Sequence, residues 1–326
     1  MDAIDNQKKA KSIIDAFLAK HHQTEVLPAG SFNVIDDLDK HDIRIKPEDN
    51  GNKTTYRLFT EGDVDDETEV TIYVVGALAQ KLLPPLKPKR KYANGRHFVF
   101  SGFQQSVTLL GVGSASVDEA IRSIKVAYLE LKRQVPDEVP FPSDRICSDN
   151  FVVSNPLFIT GYDANDKESI PFSKLVDPYG HLTGCLGEGC VHTVENEVQY
   201  LEGYENAQGV FKQRVVSPTQ FRPGDIVRVG FTISLTHNKR AHGRLELALV
   251  LRSLTLIDKT ISAANMKALE ETVAKGKKRM AVNRGRLVED NEDQPVSKVR
   301  KAMTGLSLRD MDVDVVSSQA SGSGSQ

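Results

Sequence analysis

The sequence predicts an α+β protein: an N-terminal antiparallel sheet with packed helices, a C-terminal mostly antiparallel β barrel or sandwich, then a helix and a disordered tail. Three observations carry this prediction. Residues 221–258 hold two apolar runs of strand period around a short basic tip. Residues 3–20 and 116–131 carry apolar side chains at helical spacing. Beyond the last helical pattern apolar content falls away, and the chain closes in SSQASGSGSQ. The matching division is 1–134 for an α+β domain, 135–150 for a linker, 151–258 for a β-rich domain, 259–283 for a helix, and 284–326 for a basic, then Ser/Gly-rich tail.

The run 221–258 reads as a long hairpin. Val227, Val229, Phe231, Ile233 and Leu235 alternate, as in a strand with one buried face, and Pro223-Gly224 turns the chain into it. The return strand places Leu245, Leu247, Leu249 and Leu251 on one parity. Ala248 and Val250 on the other parity predict cover on both faces. The parity then moves to Leu254 and Leu256, which predicts a β-bulge near Arg252 or Ser253.

Composition narrows the function classes. With 42 Lys plus Arg against 44 Asp plus Glu, the formal net charge is −2, so any polyanion site must come from local clustering. Trp is absent and aromatics are 6%, which argues against a surface built mainly of base-stacking platforms. Three cysteines are too few for a disulfide scaffold and fit a reducing compartment. The opening residues MDAIDNQKKAK lack an apolar h-region, and no apolar run reaches membrane-spanning length. The expectation is an intracellular chain with no membrane contact.

Along the chain, Ala10, Ile13, Ile14, Phe17 and Leu18 line one face of the first helix. Short strands are expected at 44–46, 55–60 and 69–75, with a turn at Gly51-Asn52 and an acidic solvated loop at 61–69. RHFVFSGF (96–103) and SVTLLG (106–111) read as a second hairpin. The following helix carries Val117, Ala120, Ile121, Ile124, Tyr128 and Leu131 on one face, with Ser116 and Glu119 as its capping box. This strand–strand–helix unit resembles, in pattern only, the closing half of a TATA-binding-protein-like repeat, and no DNA-binding residue is carried over from it. In the second half, strands are expected around Asn155-Pro156, a turn at Asp177-Pro178-Tyr179-Gly180, and hairpin strands at 192–204 and 210–216.

Two basic elements stand out. The Pro-rich strap 81–97 carries Lys87, Lys89, Arg90, Lys91 and Arg96, held extended by Pro84, Pro85 and Pro88. The hairpin tip carries Lys239, Arg240 and Arg244. Cations on exposed, extended backbone suit phosphate contact, since each phosphate neutralised releases counterions. They equally suit a solvated surface. A third group, Lys275, Lys277, Lys278, Arg279, Arg284 and Arg286, has the composition of a nuclear import signal, which predicts a nuclear location.

Signatures of catalysis are missing: no Walker loop, no GxSxG and no HExxH. His181, Cys185, Cys190 and His192 offer zinc-type ligands, but Cys-x4-Cys is not a usual chelating pair, and two loop thiols with two imidazoles is the plainer reading. No metal, cofactor or catalytic residue is assigned.

The blocks LVDPYGHL, VHTVENEVQYLEGY, FRPGDIVRVGFTISL and LALVLRSLTLID appear in that order. Together they resemble a DPxG / HTxxNxVxY / FxxGDIV / LRSLxLxD pattern of an uncharacterised protein family of mushroom-forming (basidiomycete) fungi. The resemblance covers roughly the second half of the folded region. It implies a fungal origin and no activity.

The reading is a non-enzymatic protein that binds DNA or RNA phosphates through local basic loops. The alternatives are a protein-interaction or structural module with a protein partner, and an enzyme without a recognisable motif.

Overall fold

The computed structural model describes residues 4–21, 27, 30–33, 43–50, 53–60, 68–86, 103–135, 139–160, 164, 167–186, 190–237 and 244–273. The chain divides into two compact units, Met1–Lys267 and Ala268–Gln326. In the second, only 268–273 are described, and they are helical. The first unit is a mixed α+β structure.

Its strands are β1 (Ser31–Asn33), β2 (Ile43–Asn50), β3 (Lys53–Thr60), β4 (Thr71–Leu82), β5 (Gln104–Leu110), β6 (Asn150–Pro156), β7 (Ile159–Thr160), β8 (Cys190–Val191), β9 (Gln199–Glu205), β10 (Phe211–Val215), β11 (Ile226–His237) and β12 (Leu245–Asp258). The helices are α1 (Ile4–His21), α2 (Ala115–Arg133) and a third that opens at residue 260. All strands but β7 and β8 join one 10-stranded sheet, in the order β10-β9-β12-β6-β5-β4-β11-β3-β2, with β1 beside β4.

The hairpin β11–β12 dominates this sheet. Gly230 faces Ser253 and Phe231 faces Leu251, so Arg252 is the extra residue, as the parity shift predicts. β11 also pairs with β4, from Ile226↔Ala77 to Phe231↔Ile72. β4 runs on past the predicted end of its strand to Leu82 and turns its second half to β5. β5 pairs with β6 along its whole length, and β6 meets β12 in parallel at Val250↔Ser154. Since β12 pairs with β11, the hydrogen-bonded neighbours return on themselves: β4–β5–β6–β12–β11–β4.

The circuit is thinnest at β6–β12, where side chains supplement the ladder. Buried Asn155 donates its amide to Leu251 O (3.0 Å) and Glu195 O (2.9 Å). Buried Gln105 donates to Asn196 O (2.7 Å) and accepts from the Tyr200 hydroxyl (2.7 Å). Burial drives the Tyr200 phenol far above its usual pKa, so it stays a neutral donor.

One face of these strands forms a continuous apolar cluster. It includes Ile72, Val74 and Leu78 of β4, Val107 and Leu109 of β5, Phe151 and Val153 of β6, and the alternating residues of β11 and β12. α2 adds Val117, Ala120, Ile121, Ile124, Tyr128 and Leu131 to the same cluster. The other face of β4 and β11 is covered by α1, whose Ala10 and Ile14 pack on Val75, Ala77 and Ile226. Cover on both sides explains why Val74–Leu78 are buried without alternation.

Several expectations are corrected. α2 is capped by Ser114, whose side chain accepts from Ser116 N; Ser116 lies inside the first turn, where its hydroxyl accepts from Val75 N (3.2 Å). Of the expected 192–204 strand only the part from Gln199 is strand; His192 and Thr193 lie outside any strand and Val194–Asn196 form a 3-10 turn. Of the expected 96–103 strand, residues 96–102 lie outside the described residues, and Phe103 is not in a strand. α2 is followed in the chain by β6, the immediate neighbour of β5. The final helix, expected over 259–283, is described over 260–273, with Asp258 accepting from Thr260 N (2.8 Å).

Candidate nucleic-acid interface

Lys87, Lys89, Arg90, Lys91, Arg96, Lys239 and Arg240 lie outside the described residues, as do Lys275, Lys277, Lys278, Arg279, Arg284 and Arg286. Arg244 is described and exposed, immediately before β12. What the fold fixes is the frame from which the strap and the tip depart.

The strap connects β4 to β5. Its first root, Leu86, and its second, Phe103, both pack against the small cluster of Leu157, Phe158 and Leu182. Phe103 meets Phe158 edge-on with centroids 6.3 Å apart, and its carbonyl accepts from Leu157 N (2.9 Å). The tip connects β11 to β12, where His237 faces Leu245. β4 ends at Leu82 beside Ser106, at the end of β5 where Gln104 meets Pro156, the last residue of β6. β12 runs parallel to β6, so its first residue, next to the tip, lies toward the start of β6. Strap and tip therefore leave the circuit at opposite ends of the β5–β6 pair.

Between those ends lies the outward face of β5 and β6. Gln104, Ser106 and Thr108 alternate with buried Gln105, Val107 and Leu109; Val152 and Ser154 alternate with buried Phe151, Val153 and Asn155. Ser106 stands opposite Ser154, and Thr108 opposite Val152. The outward positions of these two strands carry neither charge nor aromatic ring. Such a face offers hydrogen bonds and close approach, while electrostatic attraction must come from its flanks. Lys81 stands at the strap's root, half-buried. Burial lowers its pKa, Asp225 opposes that shift, and Arg222 adds to it.

Sequence reasoning missed a charged cluster built around the bulge. Arg252 meets Glu69 (2.6 Å) and Glu195 (3.2 Å), and Arg57 meets Glu69 (3.2 Å), Glu195 (2.9 Å) and Glu48 (3.0 Å). Burial alone would raise the Glu195 pKa; Arg57 and Arg252 outweigh it and hold the group below the usual carboxylate range. These residues come from distant parts of the chain, and only the Arg252 bulge was signalled locally.

The four zinc-type residues do not form a metal-binding group among the described residues. His192 is buried, with its ring stacked on Phe172 (3.9 Å between centroids) and Nδ1 2.9 Å from Leu157 O. Cys185 and Cys190 sit in the apolar cluster of Leu157 and Phe158, and burial raises both thiol pKa values. Cys185 donates to His181 O (3.1 Å). Among the described residues no three His, Cys, Asp or Glu side chains converge in a metal-binding arrangement. Also among them, no helix is long and apolar enough to cross a membrane.

No protein-family model matches the chain, and no curated protein matches it. Among solved structures, the crystal structure of gp2.5, a single-stranded DNA binding protein encoded by bacteriophage T7, aligns with 13% sequence identity and a TM-score of 0.26, covering 58% of this chain and 94% of that chain. At that level the likeness carries no inference about fold or function.

Proposed function

We propose that the first unit contains a five-stranded OB-type barrel that binds single-stranded nucleic acid, with little sequence preference, across its β5–β6 face. The observation that carries this is the order of the circuit. Numbering β4, β5, β6, β11 and β12 as 1 to 5, the pairings run 1-2-3-5-4-1, with 3 and 5 parallel. In an OB fold, the strand 2–3 face and the 1–2 and 4–5 connections receive oligonucleotides. The 1–2 connection of this chain is the basic strap, and the 4–5 connection is the basic tip. Two stretches picked out for charge alone thus occupy, by chain position, the two connections that flank such a face.

Division of labour follows from chemistry. Lys87, Lys89, Arg90, Lys91 and Arg96 on one flank, and Lys239, Arg240 and Arg244 on the other, meet phosphates. Phosphate contacts position the strand without reading its sequence. Ser106, Thr108 and Ser154 offer hydrogen bonds to sugar or base edges between them. A footprint of about 4–16 nucleotides is expected for one such fold. Photocrosslinking of a 4-thiothymidine oligonucleotide, followed by peptide mapping, tests this reading. Adducts in the strap, the tip and β5–β6 support it; adducts confined to residues 268–326, or none, contradict it.

A further inference from the structure

A cavity of about 320 Å³ opens beside the start of β9. Leu157, Phe172, Val198, Tyr200 and Val216 make most of its wall apolar. Backbone bonds hold that wall: Ile170 N donates to His192 O (2.7 Å), and Val216 N donates to Tyr200 O (2.9 Å). The buried polar side chains of the lining are matched within the chain, with one exception. Tyr200 donates to Gln105, Gln105 donates to Asn196 O, and the Asn196 amide accepts from Thr193 N and donates to Pro156 O. His192, 4% exposed, is the exception. Leu157 O lies 2.9 Å from Nδ1 and can only accept, so Nδ1 carries the hydrogen. Burial lowers the His192 pKa, although the Leu157 carbonyl and Glu197 oppose the shift, so the ring is neutral at neutral pH. Nε2 is then a bare acceptor, and it has no hydrogen-bond partner among the described residues. An unmet acceptor on a buried ring is costly and points to a donor from outside the chain. Phe172 stacks on the same ring, with centroids 3.9 Å apart and planes at 22°, and so fixes its orientation. Among the described residues, the one charged side chain in the lining is Glu197, which is exposed.

We propose that this cavity binds a small ring compound that carries an N–H or O–H donor and no negative charge, with the donor received by His192 Nε2. The volume lies at the lower end of the range of about 300–1,000 Å³ common to small-molecule sites, so a ligand of one or two rings is the size that fits. Apolar walls bury the ring, and a single acceptor orients it. The Glu197 carboxylate disfavours an anion. The site does not depend on the OB-type reading, since it uses neither the strap, the tip nor the outward β5–β6 face.

Calorimetric titration of the full chain with 3-methylindole, its isomer N-methylindole, and indole-3-carboxylate tests it. The first offers a ring and a donor, the second the same bulk without the donor, and the third the donor with a negative charge. 3-Methylindole should bind about tenfold more tightly than either of the others. His192→Phe keeps a ring against Phe172 but removes the acceptor, and should level the two methylindoles. That variant also leaves Leu157 O without its donor. Nitrogen NMR of the histidine-labelled wild type therefore gives a second reading that no change of stability affects. 3-Methylindole should move the Nε2 resonance of the Nδ1-protonated His192, and N-methylindole should leave that nitrogen without a new hydrogen bond. No binding of 3-methylindole, equal affinity for its isomer, preference for the carboxylate, or a His192 Nε2 resonance that 3-methylindole leaves in place overturns the proposal. A folded His192→Phe chain that still prefers 3-methylindole overturns it as well.

Discussion

Phe151 on β6 and Phe231 on β11 stand with ring centroids 5.6 Å apart and planes at 57°, although their two strands do not pair. The contact reaches across the circuit, from the strand at one side to a strand two neighbours away. Both side chains are fully buried. Replacing Phe231 with Ala should cost about 3–5 kcal/mol, through lost transfer energy and the cavity left behind. Urea unfolding measures this. A loss below about 1 kcal/mol, the range of an ordinary surface change, would show that the rings do not fill a shared core.

Asn155 is the second support of that arrangement. Its amide serves two carbonyls where β6 and β12 share little ladder. Asn155→Leu keeps similar bulk but strands both acceptors, so a loss of about 1–3 kcal/mol is expected. Ser154→Ala, next door on the outward face, should change stability by less than about 0.5 kcal/mol. Hydrogen exchange at β12 amides near Leu251 should quicken in the Asn155 variant only. Equal effects from both substitutions would deny the seam its special role.

The paired arginines set an acid limit on stability. Glu195 has a folded pKa below its unfolded value, near about 4.3 for a free Glu. Its contribution is therefore complete above the unfolded value and is lost as pH falls through the folded one. Glu195→Gln should be less stable than wild type at pH 7, and the gap should narrow toward about pH 3. Denaturant midpoints at the two pH values decide this. A gap that stays constant with pH would mean the carboxylate charge is irrelevant.

What the sequence revealed and what it hid divide along contact range. The hairpin at 221–258 and the bulge at Arg252 were readable, because Leu245–Leu251 and Leu254–Leu256 lie on opposite parities within one strand. The circuit was not readable: Val250 meets Ser154 across 96 residues, and no local pattern encodes a parallel pairing of that span. Proline in 135–150 marked irregular backbone but said nothing of β5 and β6 lying side by side. The cap of α2 was misplaced by two residues because only Ser116, with Glu119, has the capping-box spacing, whereas Ser114 takes the extended N-cap backbone and Ser116 turns its hydroxyl to Val75 N. The strap and tip were found by charge alone; their relation to one face required the strand order.

The uncharged β5–β6 face makes a selective prediction. Ser106 is an outward, half-buried position, so Ser106→Glu should fold normally. A carboxylate there would repel phosphates between the two basic flanks and should weaken oligonucleotide binding by about tenfold. The same charge placed on α2 by Ser123→Glu or Lys125→Glu should leave binding within about twofold of wild type. Fluorescence anisotropy with a labelled single strand measures all three. Equal weakening from α2 and from β5 would place the contact elsewhere.

The most direct test is the salt dependence of binding to single-stranded DNA, single-stranded RNA and duplex DNA. The log of the association constant for single strands should fall linearly with log salt, by about 0.7 per phosphate contacted. Changing Lys89, Arg90, Lys239 and Arg240 together to Glu should reduce that slope by about 3, and the duplex should bind more weakly than either single strand. No binding at low salt, or a slope unchanged in the fourfold variant, would contradict the proposal that strap and tip grip a strand laid across β5 and β6.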